Sequence, residues 1–133
     1  MQKLLLAYDG TDPSRRALEL AALMTKNFGA SLTVVSVVPV HPGRSPIDPW
    51  DDSMVHAEEL LEAGRLLRED GIEARLVESS GSVAQTIERI AEAGDYDAII
   101  VGSRGLSMLG RALQGSVSEH VAANATTSVV VAR

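Results

Sequence analysis

The sequence predicts an α/β protein, an open, doubly wound sheet of five parallel strands alternating with four helices. Three observations carry that reading. Short apolar runs alternate with longer segments of helical periodicity along the whole chain. Most of the helical segments are closed by a glycine, and the first is opened by capping and proline signals. The runs at 4–7 and 98–101 are continuously apolar, which is the pattern of strands buried on both faces rather than of half-exposed antiparallel strands.

Leu4, Leu5, Leu6 and Ala7 form the first strand, which stops at Tyr8-Asp9-Gly10. Asp12 is placed to cap the next helix and Pro13 to occupy its first position. Ala17, Ala21, Met24 and Phe28 recur at helical spacing, and Gly29 supplies the stop. Leu32 to Val38 is a β-branched second strand ended by Pro39. Residues 39–52 hold four of the five prolines and the only tryptophan, Trp50, and read as a long Pro-rich loop: a lid, a binding loop or a connector. Ser53 to Asp70 is a second helix with Leu60, Leu61, Ala63, Leu66 and Leu67 as its apolar stripe and Gly71 as its end signal. Ile72, Ala74 and Leu76 alternate with Glu73 and Arg75, a half-exposed third strand near a sheet edge. Gly81-Ser82 opens a third helix, with Val83, Ile87, Ile90 and Ala91 on one face and Gly94 at its end. Ala98 to Val101 is the fourth strand, a glycine-rich stretch from Gly102 to Gly115 leads into a fourth helix near Ser116 to Asn124, and Val129 to Val131 is the last strand.

Composition bounds the function. The 133 residues make one domain, 1–133, and at 45% hydrophobic and 23% charged it buries a genuine core. Aromatics are 3%, so the core is built from Leu, Ile, Val and Ala, and base-stacking platforms for single strands are not expected. Twelve basic against eighteen acidic residues give −6, the wrong sign for a general nucleic-acid or anionic-membrane binder. No cysteine is present, which removes disulfides, thiolate metal sites and cysteine catalysis. The short apolar opening fits neither a signal peptide nor a membrane span, so a cytoplasmic protein is expected.

Ligands of open α/β sheets bind beyond the carboxyl ends of the strands, where the winding reverses. The residues that carry chemistry fall there. The first strand ends in Asp9-Gly10, and the fourth runs into Gly102-Ser103-Arg104-Gly105, then Gly110 and Gly115-Ser116 just ahead of a helix. Glycines let the backbone approach a ligand closely, and successive N–H groups with a helix N-terminus converge on phosphate oxygens. Arg104 and Arg111 bring cations to the loop, and Ser116 and Ser118 bring hydroxyl donors. Ala7 and Asp9 lie two apart and so face the same way along an ideal strand. The Asp9 carboxylate suits a ribose hydroxyl, a base amino group or a magnesium-bound water. Against this stands a plainer reading, in which the glycines shape turns and Asp9 and the serines cap helices; convergence of separate segments on one crevice favours the ligand.

These residues resemble a known family. Gly102-x-x-Gly105, nine residues, then Gly115-Ser116 matches the G-2x-G-9x-G-(S/T) nucleotide motif of the universal stress protein family, UspA-like, in its ATP-binding subgroup. The segment LLLAYDGTDPSRRAL resembles that family's first strand, Asp and first helix, and DAIIVGSRGLSMLGRALQGSVSEHVA its fourth strand, phosphate loop and fourth helix. The resemblance covers essentially the whole chain. It implies a Rossmann-like, adenine nucleotide alpha hydrolase-like sheet in the order 3-2-1-4-5, and binding of ATP with Mg²⁺. Carried over by position, Asp9 holds the adenosine end and the backbone of Val37 meets the adenine; Gly102, Ser103, Arg104 and Gly105 line the ribose and phosphates. Gly115, Ser116 and Ser118 receive the phosphate tail. Ala7 is added only for its shared face with Asp9. The family often carries a Pro-Cys-Pro-Val type of run before the last strand; here the run is Ala125-Thr126-Thr127-Ser128-Val129, away from the phosphate loop. The family's fifth strand commonly pairs with its copy, and an apolar edge at Val129 to Val131 independently calls for cover, so a homodimer is expected.

The function so implied is a nucleotide-dependent regulatory module of stress response with little or no turnover, at most a weak ATPase. The competing classes are a slow ATP-hydrolysing or phosphate-transferring enzyme, for which Asp9 is the one candidate base and no Walker lysine exists, and a dimeric scaffold that does not use nucleotide. A phosphorylated receiver domain fits poorly, since no lysine follows residue 26. The sequence names no downstream protein partner. His41, His56 and His120 share no metal-ligand spacing and read as ordinary histidines, and Glu58, Glu59 and Glu62 as a solvated helix face.

Overall fold

The structure, a computed structural model, describes residues 2–39, 49–103 and 127–132, with side chains described for 2–38, 55–103 and 127–132. The elements run β1 (Lys3–Ala7), α1 (Asp12–Phe28), β2 (Ser31–Pro39), α2 (Pro49–Glu69), β3 (Arg75–Gly81), α3 (Val83–Ala93), β4 (Ala98–Gly102) and β5 (Ser128–Ala132). The five strands form one parallel sheet in the order β3-β2-β1-β4-β5. The predicted fourth helix near Ser116 to Asn124 lies outside the described residues.

The apolar runs read as doubly buried strands are buried on both faces, because helices cover both. Leu4, Leu6 and Tyr8 of β1 and its exit pack with Ala17, Ala21, Leu60, Ala63 and Leu67 of α1 and α2. Leu5 and Ala7 turn to the other face, against Val83, Ile87 and Ala91 of α3. The winding direction explains this. The chain steps outward from β1 to β2 to β3 with α1 and α2 on one face, then returns through α3 to place β4 on the far side of β1. The reversal sets the carboxyl ends of β1 and β4 side by side, the place where open α/β sheets take their ligands.

Several local expectations are corrected. Thr11, not Asp12, is the N-cap of α1; its hydroxyl accepts from the Ser14 N–H at 3.4 Å, and Asp12 sits in the first turn, where a negative charge favours the helix dipole. Helix α2 begins at Pro49, so the loop expected to reach 52 ends earlier, because Pro49 suits the first helical turn; residues 40–48 lie outside the described residues. Strand β3 starts at Arg75 rather than Ile72. Ile72 instead packs beneath α2, its N–H donating to the Leu67 carbonyl at 2.8 Å and so closing the helix. Phe28 and Leu61, assigned to buried stripes, are exposed, since each falls off the sheet-facing side of its helix.

Candidate functional site

The site is built from the exit of β1. After Ala7 the chain leaves the ladder, with the Tyr8 N–H still donating to the Val35 carbonyl at 3.0 Å, and turns at Gly10. Gly10 has φ +79, which a side chain resists, and a Cβ there would lie 3.2 Å from the Cγ and Cδ of Glu59. Asp9 is held from the α1 side. Its Oδ1 accepts from the Thr11 N–H at 3.1 Å and from the Thr11 hydroxyl at 2.6 Å, and its own N–H donates to Ser14 Oγ at 3.4 Å. Ser14 is fully buried and its hydroxyl donates to the Thr11 carbonyl at 2.9 Å, so the α1 N-terminus and the Asp9 turn form one braced unit. The Asp9 Oδ2 is buried and has no hydrogen-bond partner among the described residues.

From the other side of the crevice, Gly102 closes β4 against α1. A Cβ on Gly102 would come within 2.6 Å of the carbonyl carbon and oxygen of Pro13, so the two backbones touch where a side chain would otherwise stand. The Ser103 N–H donates to the Ala132 carbonyl at 2.9 Å and extends the β4–β5 ladder one residue past the strand end. The structure thus places Asp9 and Gly102 around the same α1 N-terminus. Val37 is buried in β2 opposite Ser79 of β3, on the α3 side of the sheet. Ala7 and Asp9 do not share surroundings: Ala7 packs toward α3, whereas Asp9 is engaged with Thr11 and Ser14 of the α1 end, because the chain turns out of the strand after Tyr8. Arg104, Gly105, Gly115, Ser116 and Ser118 lie outside the described residues, as do His41 and His120.

Two residues of α2 lie close to this turn, and one of them is not where the sequence placed it. His56 and Glu59 stand on α2 with side chains 17% and 23% exposed, so Glu59 is not part of a solvated face. The Ser36 Oγ and His56 Nδ1 are 2.8 Å apart, a hydrogen bond whose proton position follows the imidazole tautomer, and the same nitrogen is 3.4 Å from Glu59 Oε2. Burial, then the Asp9 charge, then Glu62, push the Glu59 carboxyl up to about 7. Burial also raises the Asp9 carboxyl, opposed by the Thr11 and Ser14 hydrogen bonds and by His56. Helical register was the available signal: positions 56, 60, 63 and 67 form one line that ends on the buried Ala63 and Leu67, and 59 adjoins it. Among the described residues no group of three such side chains is arranged to hold a metal ion.

The raised Glu59 carboxyl has a stability consequence. Its folded-state value lies above its ordinary 4.5, so the folded chain holds this proton more tightly than the unfolded one. Stability from that proton is full below the ordinary value and is lost as pH rises through about 7. Replacing the carboxyl with an amide, Glu59→Gln, is expected to stabilise the protein at about pH 8 by on the order of 1 kcal/mol after allowance for solvent screening, with the difference shrinking toward about pH 4. Urea denaturation of both proteins at the two pH values checks this.

The Universal stress protein family model matches residues 1–133, the whole chain. The chain belongs to the universal stress protein family. It is 29% identical over 150 residues to the universal stress protein YxiE of Bacillus subtilis, covering 98% of this chain and 98% of that one. Among solved structures it is similar to a universal stress protein in complex with cAMP, with a TM-score of 0.79, 22% identity, and coverage of 99% of this chain and 97% of that one. It is also similar to the Archaeoglobus fulgidus universal stress protein in complex with dAMP, with a TM-score of 0.73, 24% identity, and coverage of 100% and 98%. At these identities the structural likeness shows the fold, and the universal stress protein sheet order is the one found here. No helix among the described residues is long and apolar enough to cross a membrane.

Proposed function

We propose that this chain is an adenine-nucleotide-binding regulatory module of stress response, taking ATP together with Mg²⁺ in the crevice beyond β1 and β4, with little or no turnover. The observation that carries the reading is Asp9. One of its carboxylate oxygens is consumed by Thr11 and the other is buried with no hydrogen-bond partner among the described residues. A buried carboxylate oxygen without a donor is costly, and a ribose hydroxyl or an adenine amino group supplies the donor it lacks. The cAMP and dAMP complexes of structurally similar proteins support this ligand class. The motif Gly102-x-x-Gly105 with Gly115-Ser116 supports a phosphate tail on the same ligand. Mg²⁺ enters with the phosphates it neutralises, and no side chain is assigned to it.

The reading includes a homodimer through β5. That strand is the last in the sheet order, and Val131, at its edge, is exposed, so pairing with a second copy covers an apolar strand. It also places the protein in the cytoplasm and, given a net charge of −6, away from nucleic acid.

Calorimetric titration of nucleotide-free protein with Mg-ATP tests it. Saturable binding at one site per chain is expected. Asp9→Ala should weaken it at least about tenfold, the value of one charge-assisted hydrogen bond, and Gly115→Val should abolish it. Well-folded protein that takes up no nucleotide overturns the reading. Rapid hydrolysis lost in Asp9→Asn while binding persists replaces it with the enzyme.

A further inference from the structure

We infer that the groove between α1 and α2 is a docking surface for a basic segment of a partner protein, whose arginine or lysine side chains lie along its apolar floor and end on its acidic rim. Such docking does not depend on the nucleotide reading.

The groove follows from residue size. On the sheet face that carries α1 and α2, Ala22 is short and Leu18, Leu66 and Leu67 stand around it, which leaves a channel of about 510 Å³ between the helices. Two ion pairs cross from one helix to the other, Arg15 to Glu62 at 3.3 Å toward one end and Lys26 to Asp70 toward the other. Their side chains are half-exposed, so the channel faces solvent. The helical rise over the residues between the two pairs gives it a length of about 12–16 Å.

Charge decides the occupant. Four of the lining side chains are carboxylates, Glu19, Glu62, Glu69 and Asp70, against the single guanidinium of Arg15. The two crossing pairs account for Glu62 and Asp70. Between them remain Glu19 on α1, which makes no ion pair among the described residues, and Glu69 on α2, which pairs only with Arg65 of its own helix, at 2.8 Å. The floor is narrow, because Leu18, Ala22 and Leu67 are only 6%, 3% and 0% exposed. A broad apolar helix face therefore finds little to cover here. An aliphatic stem that ends in a cation fits better, lying on the floor with its head at Glu19 or Glu69, and arginine and lysine have that form. A helix carrying cations at i, i+4 and i+7 spreads them over about 10 Å, within the length of the channel.

The same charges weigh against other occupants. Two-fold packing of this face on a second copy brings two sets of these carboxylates into one interface, which is unfavourable. Nucleic acid and anionic membranes are repelled.

The test uses an alanine-based helical peptide of about 15 residues with arginines at i, i+4, i+7 and i+11, and the same peptide with glutamines in their place, each titrated into ¹⁵N-labelled protein at about 0.15 M salt. Saturable shifts confined to the amides around Leu18, Ala22 and Leu66 are expected with the arginine peptide, and none with the glutamine peptide. Glu19, Glu69 and Glu92 are all exposed, so substituting them leaves the fold intact. Glu19→Gln combined with Glu69→Gln should weaken binding roughly fivefold, whereas Glu92→Lys should leave it within about twofold. Glu92→Lys changes the net charge by the same amount, but on α3, across the sheet from the groove. Shifts scattered over the surface, or equal losses in the two variants, overturn the inference, since the peptide then answers only to the overall charge of −6. Free spermidine that gives the same shifts at the same concentration overturns it in favour of a small cation. Absence of binding by the arginine peptide overturns it outright. Each of these outcomes leaves the nucleotide reading standing.

Discussion

Gly102→Ala is expected to lose about 3 kcal/mol of stability in urea unfolding, a large cost for one added methyl group. The reason is what the methyl meets. A Cβ at 102 would stand 2.6 Å from the carbonyl carbon and oxygen of Pro13, and these backbone atoms belong to a helical turn fixed by the Arg15 N–H donating to the Thr11 carbonyl at 2.9 Å. A flexible side chain would yield; a capped helix start does so only by moving as a unit. The other partner is equally constrained, because Gly102 is paired with Ala132 in the β4–β5 ladder. Whichever side moves, Thr11 and Ser14 shift relative to Asp9, so the same variant is expected to lose nucleotide binding in the Mg-ATP titration even at temperatures where it remains folded. Wild-type stability and affinity in Gly102→Ala would show that β4 and α1 do not meet as described.

Leu6→Ala is expected to cost about 2–5 kcal/mol with nucleotide binding preserved in the protein that stays folded. Leu6 is wholly buried at the middle of the central strand, paired with Val34 on one side and Ile100 on the other. Two neighbours in the ladder and two helices above prevent the cavity from collapsing, so the upper half of that range is the expectation. Leu61→Ala, by contrast, removes a side chain that is 65% exposed and should change stability by no more than about 0.5 kcal/mol. Chemical denaturation of the two variants side by side separates these outcomes; equal costs would contradict the burial pattern.

Most of the fold was legible because strand burial and helix stops are local properties of composition. Leu4 to Ala7 and Ala98 to Val101 are unbroken apolar runs, and no single-faced strand tolerates such a run. Boundaries were less legible where two residues compete for one role. Thr11 and Asp12 are both good caps, and the choice fell to Thr11 because its hydroxyl also donates to Asp9. Ile72 has strand character, yet the close of α2 claims its N–H for the Leu67 carbonyl.

The candidate site divides along the same line. Asp9 and Gly102 announce themselves by type and position, an acid and a glycine at strand ends, and the family motif adds its spacing to them. Glu59 and His56 do not, because an acidic residue on an amphipathic helix reads as solvated until something is placed over it. The sequence by itself determined the class of fold and the placing of an acid and a glycine at the ends of two strands that lie side by side in the sheet. Only the tertiary structure decided that α2 delivers Glu59 to Gly10, that Ala7 and Asp9 part company at the strand end, and that Gly102 is required by the backbone of Pro13. The physical reason is that strand burial and helix termination depend on near neighbours in the chain, whereas a carboxyl's charge and a glycine's necessity depend on which distant segment is packed against them.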